Sequence, residues 1–380
     1  MAREMGIFLL KKLQDIWQNG SQTTPNRYRY PEISQDRRDQ SAQEKAFDLP
    51  HALPSTSCLD EKKEPTVLYL AYGSNLASSV FRGVRGIRPL AAINVLAPEF
   101  MLTFDLPGIP YSEPCFANTR YRHTTSSISR PSSVQSDPSP PPQYPPSHNP
   151  TFPTGLVGVV YEVTLSEYAH IVATEGGGKF YHDVLTTCYP LPSSAHTVPT
   201  IPTSKPFKAH TLYSPISIPG EAPPDTGKGV VRPDPDYAQP SLRYLNLLRV
   251  GADENGLPDD FKAYLHELQP YTITSRRQEL GAFIFGMLWR PFILLIFALS
   301  RRYQDDKGRT PEWLGRLASA VFIAMWANYD GFFYDIFGDG ERTQPPGRDE
   351  ESAHLTGMSR VVGDDAVKQS KEPMIMTCTN

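Results

Sequence analysis

Cysteine is scarce in this chain of 380 residues, and the four that occur, Cys58, Cys115, Cys188 and Cys378, lie far apart. No two of them have the Cys-x-x-Cys spacing, which excludes a zinc ribbon or a thioredoxin-like redox motif. Small disulfide-stapled secreted domains are dense in cysteine, and this chain is not. We therefore predict free thiols in a reducing compartment, and a cytoplasmic rather than a secreted protein.

Several common catalytic motifs are also missing. The nine histidines show neither HExxH nor any other paired ligand spacing, so no catalytic metal is expected. A GxSxG nucleophile elbow and a GxGxxG opening of a βαβ unit are absent as well. The net charge of −4 and the scattered basic residues do not fit a nucleic-acid binder. The sequence thus predicts no metal, no cofactor and no nucleic-acid partner, and it leaves the oligomeric state open.

The N-terminal segment has one short apolar run, Gly6–Leu10, followed by Lys11 and Lys12. Such a run is too short for the core of a signal peptide. The alternative is a short amphipathic helix that ends near Asn19.

Proline, by contrast, is abundant, with 38 residues that cluster along the chain. Stretches of proline with serine and other polar residues cannot form a packed core, so they indicate linkers, insertions and tails. We predict a disordered leader at 1–64, a folded domain at 65–270 with Pro-rich insertions at about 121–154 and 190–236, a hydrophobic helical segment at 271–338, and a disordered tail at 339–380.

The folded domain mixes strand and helix patterns. Runs of β-branched and aromatic residues predict strands, and capped apolar periods predict helices. The predicted strands are Val67–Tyr72, one or more over 90–104, Leu156–Val163 and His210–Tyr213; the predicted helices are Ser166–Thr174, Ser241–Gly251 and 259–268.

The C-terminal part changes character at Gly281–Leu299, where Arg290, next to Pro291, is the single charged residue. A membrane span needs about 20 apolar residues, so membrane association, spanning or monotopic, is one interpretation. A buried or interface helix kinked at the proline is the other. A second helical stretch is predicted over 317–337, and its polar residues argue against its spanning a membrane alone.

Three separated motifs carry candidate chemistry. The first is Tyr72-Gly73-Ser74-Asn75-Leu76, a strand end that runs into a tight turn. Its glycine permits close approach of a ligand to the backbone, and the N–H groups of such a turn can bind a carboxylate. Taken alone, this pattern is more often an ordinary turn.

The second motif is Thr174-Glu175-Gly176-Gly177-Gly178-Lys179-Phe180-Tyr181. A carboxylate beside glycines can lie where the chain wraps a ligand. If apolar neighbours exclude water, the pKa of Glu175 rises towards the range useful for proton transfer. Taken alone, a solvated glutamate at a helix end is the commoner case. The spacing does not fit a phosphate-binding loop.

The third motif runs from Pro240 to Pro258 and reads as a capped helix, a glycine stop and a turn into another helix. Tyr244 lies in the first turn of that helix. Tyrosine is more often a core residue than a catalytic one, so this motif identifies no site by itself.

Taken in order, the three motifs resemble those of the γ-glutamylcyclotransferase family. Tyr72-Gly73-Ser74-Asn75-Leu76 is similar to the family's YGSNL loop. Glu175-Gly176 with Tyr181 is similar to its Glu-Gly…Tyr segment. Tyr244, with the Gly-Ala and Glu-Asn-Gly-Leu-Pro stretches after it, is similar to its third motif. The resemblance covers about 66–268, interrupted by the two Pro-rich insertions.

The resemblance implies an α+β fold, a mixed β-barrel flanked by helices, to which this chain adds the C-terminal hydrophobic helices. It implies a small-molecule γ-glutamyl substrate, held by Tyr72, Gly73, Ser74, Asn75 and Leu76. Glu175 would act as general acid and base in cyclisation to 5-oxoproline, and Tyr181 and Tyr244 would line the pocket. No cofactor is required.

Two features depart from the family pattern. The spacing from Glu175 to Tyr181 is one residue shorter, which puts the role of Tyr181 in question. The Pro/Ser insertions resemble those of fungal relatives, some of which act in sulfur-containing secondary metabolism, so a γ-glutamyl biosynthetic intermediate is one expected substrate class. The competing hypothesis is a non-catalytic binding or membrane-associated scaffold that keeps the fold. A glycoside hydrolase would need a second carboxylate, which no motif supplies.

Overall fold

The computed structural model describes residues 30–47, 64–122, 148–174, 182–192, 195–214, 232, 234, 236–303 and 311–345. Its seven strands are β1 (Thr66–Ala71), β2 (Ala91–Ala97), β3 (Phe100–Ile109), β4 (Glu113–Tyr121), β5 (Leu156–Thr164), β6 (His182–Pro190) and β7 (Phe207–Tyr213). Its α-helices are α1 (Gln35–Gln40), α2 (Leu165–Thr174), α3 (Leu242–Glu254), α4 (Asp259–Glu267), α5 (Arg276–Tyr303), α6 (Glu312–Asn328) and α7 (Tyr334–Phe337).

Five of these strands close into a barrel in the order β1-β5-β2-β6-β7. The β1–β7 pair is parallel and the other pairs are antiparallel, so the barrel is mixed. Closure leaves no strand edge unpaired, which suits strands such as β1 that are buried almost throughout. Strands β3 and β4 form a separate two-stranded ribbon. The predicted α+β class, a mixed β-barrel flanked by helices, is confirmed.

The strands and helices predicted from sequence agree closely with the observed ones. The pattern over 90–104 resolves into two strands, β2 and β3, of which β3 extends to Ile109. The strand expected at His210–Tyr213 begins earlier, at Phe207, and closes the barrel. The predicted insertion at 190–236 therefore contains a structural strand, because its apolar residues alternate briefly between prolines.

The leader predicted as disordered over 1–64 contains a folded segment at 30–47. Its Ile33 is buried in the core, and Phe47 stacks on His210 of β7 at a ring distance of 4.7 Å. Arg37 of α1 donates to the backbone oxygen of Thr66 at 2.9 Å and pairs with Glu44 at 2.7 Å. A few anchoring residues within a polar sequence hold this segment, and composition alone does not detect them.

The predicted tail at 339–380 is also folded at its start. Asp339 and Glu341 are buried, and the N–H of Tyr111 donates to the backbone oxygen of Gly340 at 2.7 Å. Arg232 pairs with both Glu341 and Asp330. These buried charges are each matched by an opposite charge or by backbone donors, which is what their burial requires.

The C-terminal helices pack on the end of the β3–β4 ribbon. Phe285 of α5 meets the ring of Tyr111 edge-on at 5.7 Å, and the indole of Trp326 on α6 donates to the backbone oxygen of Gly108 at 3.1 Å. Helix α5 continues through Pro291. By length and composition, its residues Arg276–Ser300 could cross a membrane. Only 22% of the most apolar stretch of this helix is buried in the protein. It is therefore not a core helix.

Candidate active site

The Tyr72–Leu76 motif forms a buried turn at the end of β1. Ser74–Leu76 is one turn of 3₁₀ helix, closed by a hydrogen bond from Leu76 N–H to the Gly73 oxygen at 3.0 Å. The hydroxyl of Tyr72 donates to the Leu212 oxygen on β7 at 2.9 Å, and the Asn75 amide donates to the Tyr69 hydroxyl at 2.9 Å. The turn is thereby fixed to two strands of the barrel.

Tyr244 lies directly beside this turn. Ser241 caps α3 by accepting from the Tyr244 N–H at 3.0 Å, which places the tyrosine in the first helical turn. Its fully buried hydroxyl accepts from Ala117 N–H at 3.1 Å. A Cβ added to Gly73 would lie 3.5 Å from that hydroxyl. The structure therefore brings the first and third motifs together.

The far end of α3 holds the turn from the other side. Glu254 accepts from the N–H and the hydroxyl of Ser78 at 2.7 and 2.8 Å. The side-chain amide of Asn255 donates to the Leu76 oxygen at 2.9 Å, and its oxygen accepts from the Tyr161 hydroxyl at 3.0 Å. The Glu-Asn pair of the third motif thus supports the first motif.

Gly251 allows this close approach of α3 to the turn. A Cβ at Gly251 would lie 2.5 Å from the carbonyl carbon of Leu76 and 2.6 Å from the nitrogen of Ala77. Only glycine lets the helix backbone lie this close to the turn. Gly251, Glu254 and Asn255 were not predicted as site residues, although their places in the third motif were the available signal.

Glu175 and Tyr181 lie outside the described residues. Helix α2 ends at Thr174, immediately before Glu175, and β6 begins at His182, immediately after Tyr181. His182 pairs with Tyr213, and in the parallel β1–β7 pair Tyr69 is opposite His210. Tyr213 therefore lies level with the first residue of the turn, Tyr72, so the start of β6 is at the barrel end that carries the turn.

A buried polar network lies next to the start of β6. The Asp183 carboxylate accepts from the Tyr168 hydroxyl of α2 and from Phe47 N–H, and it contacts His210 Nδ1 at 2.8 Å. The other ring nitrogen of His210 lies 3.1 Å from Glu44. This network joins α2, β6, β7 and the 30–47 segment. The sequence offered no motif for it, since its members are distant along the chain.

His210 should make the stability of the protein depend on pH. Burial alone lowers the pKa of His210, but hydrogen bonds and charges from Asp183 and Glu44 outweigh burial and raise it. A group whose pKa is raised in the folded state contributes its full stabilisation below its unfolded-state pKa, which is about 6.5 for histidine. This stabilisation is lost as the pH rises through the folded-state pKa.

We therefore expect the unfolding free energy to decrease as pH is raised above about 6.5. Urea unfolding at a series of pH values measures this slope. The slope should become shallower in a His210→Gln variant, because glutamine has no proton to lose. Equal slopes in the two proteins would assign the pH dependence to other groups.

A second buried polar cluster fixes the β3–β4 ribbon near the turn. The Asn118 amide donates to Asp105 at 2.7 Å and to the backbone oxygen of Ser214, after β7, at 2.8 Å. Arg120 pairs with Asp105 at 2.5 Å. A Cβ at Gly73 would lie 3.6 Å from the Cβ of Ala117, the neighbour of Asn118. The cluster therefore holds one wall of the site against the barrel.

The described part of the chain contains no group of side chains suited to metal binding or to thiol chemistry. No group of three His, Cys, Asp or Glu side chains there is arranged to hold a metal ion. Cys115 and Cys188 are buried free thiols, and burial raises the pKa of both. Protonated, enclosed thiols of this kind are poor nucleophiles.

Comparison with known proteins agrees with these observations. Over 280 residues the chain is 31% identical to the γ-glutamyl cyclotransferase gliK of Aspergillus fumigatus, covering 72% of this chain and 89% of the relative. Over 290 residues it is 30% identical to the γ-glutamyl cyclotransferase aclK of Aspergillus oryzae, covering 74% and 93%. The family model of the AclK C-terminal domain matches residues 275–336, which include all of α5 and all of α6.

Among solved structures, a human protein described as uncharacterized protein loc79017 is similar at 17% identity and a TM-score of 0.35, covering 56% of this chain and 94% of the human chain. The two fungal relatives match this chain at 30% identity or more and over about nine tenths of their own length. This chain belongs to the γ-glutamyl cyclotransferase family.

Proposed function

We propose that this protein converts a γ-glutamyl amino acid, peptide or amine into 5-oxoproline and the free amine. The observation that carries the proposal is the assembly of the Tyr72–Leu76 turn with Tyr244 at one end of the barrel. The fungal relatives gliK and aclK bear the name of this activity. The reaction is intramolecular, so the enzyme has to fold one substrate and move protons.

The turn would bind the glutamyl end of the substrate. Backbone N–H groups of a tight turn can hold a carboxylate, and Gly73 leaves room for it beside Tyr244. Because the turn is fixed at both sides by β7 and α3, the bound substrate would be held in a bent conformation. Fixing reacting groups in this way can contribute about 7 to 11 kcal/mol to lowering the barrier.

Glu175 would carry the proton. Its carboxylate takes a proton from the substrate α-ammonium, and the resulting amine attacks the γ-carbonyl carbon. A new C–N bond closes the five-membered ring, and the C–N bond to the leaving group breaks from the tetrahedral intermediate. Two protons leave the α-nitrogen and two reach the departing amine, so the cycle is proton-neutral and restores the Glu175 carboxylate.

Residues outside the turn would determine which leaving group the enzyme accepts. Within the turn, the side chains of Tyr72 and Asn75 already donate hydrogen bonds to Leu212 and Tyr69. The sequence-based expectation of a γ-glutamyl biosynthetic intermediate therefore stands beside γ-glutamyl amino acids and glutathione as a candidate. The substrate panel must include all three classes.

The test is 5-oxoproline release by the purified full-length protein. The panel consists of γ-glutamyl amino acids, γ-glutamyl amines, glutathione and γ-glutamyl conjugates of larger thiols. Equal amounts of 5-oxoproline and free amine are expected from at least one class. If a folded preparation releases none from the whole panel, the cyclotransferase proposal fails and the scaffold hypothesis replaces it.

The Tyr244→Phe variant should distinguish a role of this residue in positioning the substrate from a role in the stability of the fold. Removal of the hydroxyl leaves the buried Ala117 N–H without its acceptor, which should cost about 1–3 kcal/mol of unfolding free energy. Loss of one polar contact at the turn should also lower kcat/KM about tenfold.

Tyr264→Phe is the matched control, because its hydroxyl also binds the backbone, donating to the Pro150 oxygen, and no atom of Tyr264 lies within 4 Å of a Cβ built at Gly73. Chemical unfolding and initial rates should show a stability loss in both variants and a kcat/KM loss in Tyr244→Phe alone. A normal kcat/KM in Tyr244→Phe would remove this residue from the site.

A further inference from the structure

The exposed face of α5 is almost entirely apolar. Its exposed large side chains recur every three or four residues, opposite the buried Phe285, Ile293 and Ile296. We call this set the α5 stripe: Leu280, Phe283, Ile284, Met287, Leu288, Phe292, Leu294 and Leu295. Phe283 and Met287 are 66% and 65% exposed. Contiguous apolar surface of this extent indicates an interaction site, since monomeric soluble proteins rarely expose it.

The charges around the stripe are mostly positive, and the exposed Glu279 beside Leu280 is the exception on α5. Arg290 is the single charged residue between Leu280 and Leu299, and the helical period places it at the edge of the stripe. Arg276 and Arg302 lie at the two ends of α5, both exposed. On α6, which packs against α5, the exposed Arg316 lies between the exposed Trp313 and Leu317. An apolar face edged by arginines is complementary to an anionic lipid surface.

The other side of α5 is bound to the protein. Gln278 donates to the backbone oxygen of Asp339 at 2.9 Å, and the indole of Trp289 donates to the Asn328 side chain at 3.1 Å. Phe285 packs on Tyr111 of the ribbon. A helix that crossed the bilayer would carry these polar contacts and an open ribbon into hydrocarbon, which is unfavourable. The contacts favour a helix that lies along the membrane.

We propose that α5 docks the protein on an anionic membrane surface, with the helix in the plane of the membrane. The α5 stripe enters the boundary between headgroups and acyl chains, and Arg290, Arg276 and Arg302 extend towards the lipid phosphates. Arginine suits these edge positions because its apolar stem can lie on the lipid while its charge stays at the headgroups. The barrel end of the molecule stays in water.

The test is co-sedimentation of the full-length protein with vesicles. Vesicles of phosphatidylcholine alone are compared with vesicles that also contain phosphatidylserine, at low and high salt. We expect binding that is stronger with phosphatidylserine and weaker at high salt. Arg290→Gln should lower binding to the anionic vesicles about fivefold.

The α5 stripe itself is tested by the double variant Phe283→Ser, Met287→Ser. Both side chains are largely exposed, so the fold should be retained, and vesicle binding should decrease tenfold or more, an order of magnitude that follows from the lost apolar area. Ile201→Ser is the matched control, because Ile201 is 79% exposed and belongs to the segment before β7 rather than to α5. It should bind vesicles as the wild type does.

Four results would overturn the proposal. The first is no binding to either kind of vesicle. The second is a wild-type level of binding by the double variant. The third is a dimer in sedimentation velocity that is lost in the double variant, together with no binding of the wild type to vesicles. This result would show that the stripe binds a second copy of the chain. Resistance of the vesicle-bound protein to alkaline carbonate would instead indicate a spanning helix and contradict the in-plane geometry.

Discussion

Gly251→Ala is expected to damage the fold and the site together. The added methyl group would lie 2.5 Å from the Leu76 carbonyl carbon and 2.6 Å from the Ala77 nitrogen, and both are backbone atoms. Neither can rotate away as a flexible side chain would. Either α3 or the Tyr72–Leu76 turn has to move.

Both responses have a cost that can be measured. Overpacking of this kind lowers the unfolding free energy by about 1–3 kcal/mol, occasionally more. Movement of α3 would also disturb the contacts of Glu254 with Ser78 and of Asn255 with Leu76. Because a displacement of about 1 Å in a positioned site can cost 10²-fold in rate, we expect kcat/KM to decrease by about that factor.

Gly286→Ala is the control for this variant. Gly286 also lies within a helix, but a Cβ there meets no atom within 4 Å. An alanine should be neutral or stabilise by about 0.5–1 kcal/mol, because glycine is unfavourable inside helices. Thermal unfolding and 5-oxoproline release are measured for both. If Gly251→Ala keeps wild-type stability and rate, the turn does not depend on the close approach of α3.

Much of the architecture could be predicted because it depends on local patterns. The apolar runs of β1 and β5 and the Ser241 cap of α3 are readable from neighbouring residues, whereas α3 continues past the predicted stop at Gly251 to Glu254. The order of the three motifs was enough to identify the family. Tyr244 is the clearest gain from the structure, since only the fold places its hydroxyl beside Gly73.

The features that were missed depend on contacts between distant residues. The 30–47 segment looks polar and unstructured, yet Phe47 and Glu44 both reach His210 across the chain. Asp183 likewise gains its role only from α2 and β7, which bring Tyr168 and His210 to it. A sequence pattern carries no signal for such pairings, because each partner is individually unremarkable in its own neighbourhood.

Glu175→Gln should show the largest loss of activity of any conservative substitution. Glutamine keeps the size and polarity of the side chain but cannot accept or return a proton at neutral pH. A positioned general acid or base contributes about 10²–10⁴ in rate, so kcat should decrease by that range while KM changes little. Purified variants are compared by initial rates of 5-oxoproline release under saturating substrate.

Glu167→Gln provides the matched control on the preceding helix. The Glu167 carboxylate accepts from the N–H groups of Arg88 and Thr164, so it supports local structure at the start of α2. Its substitution should cost about 0.5–2 kcal/mol of stability, as loss of a helix cap does, and should leave kcat unchanged. A similar loss of kcat in both variants would indicate damage to α2 rather than loss of a proton carrier.

The assignment of Glu175 as the base also depends on whether another carboxylate, that of Asp183, could take the proton instead. Asp183 comes two residues after Tyr181, but its oxygens already accept from Tyr168, Phe47 and His210. A carboxylate engaged in this way is poorly placed to take a proton from a substrate, and Asp183→Asn should mainly destabilise the fold. If Glu175→Gln retained more than about a tenth of the wild-type kcat, well above the range expected on loss of a general base, Glu175 would not be the proton carrier. The cyclisation would then have to be explained by the turn and Tyr244 alone.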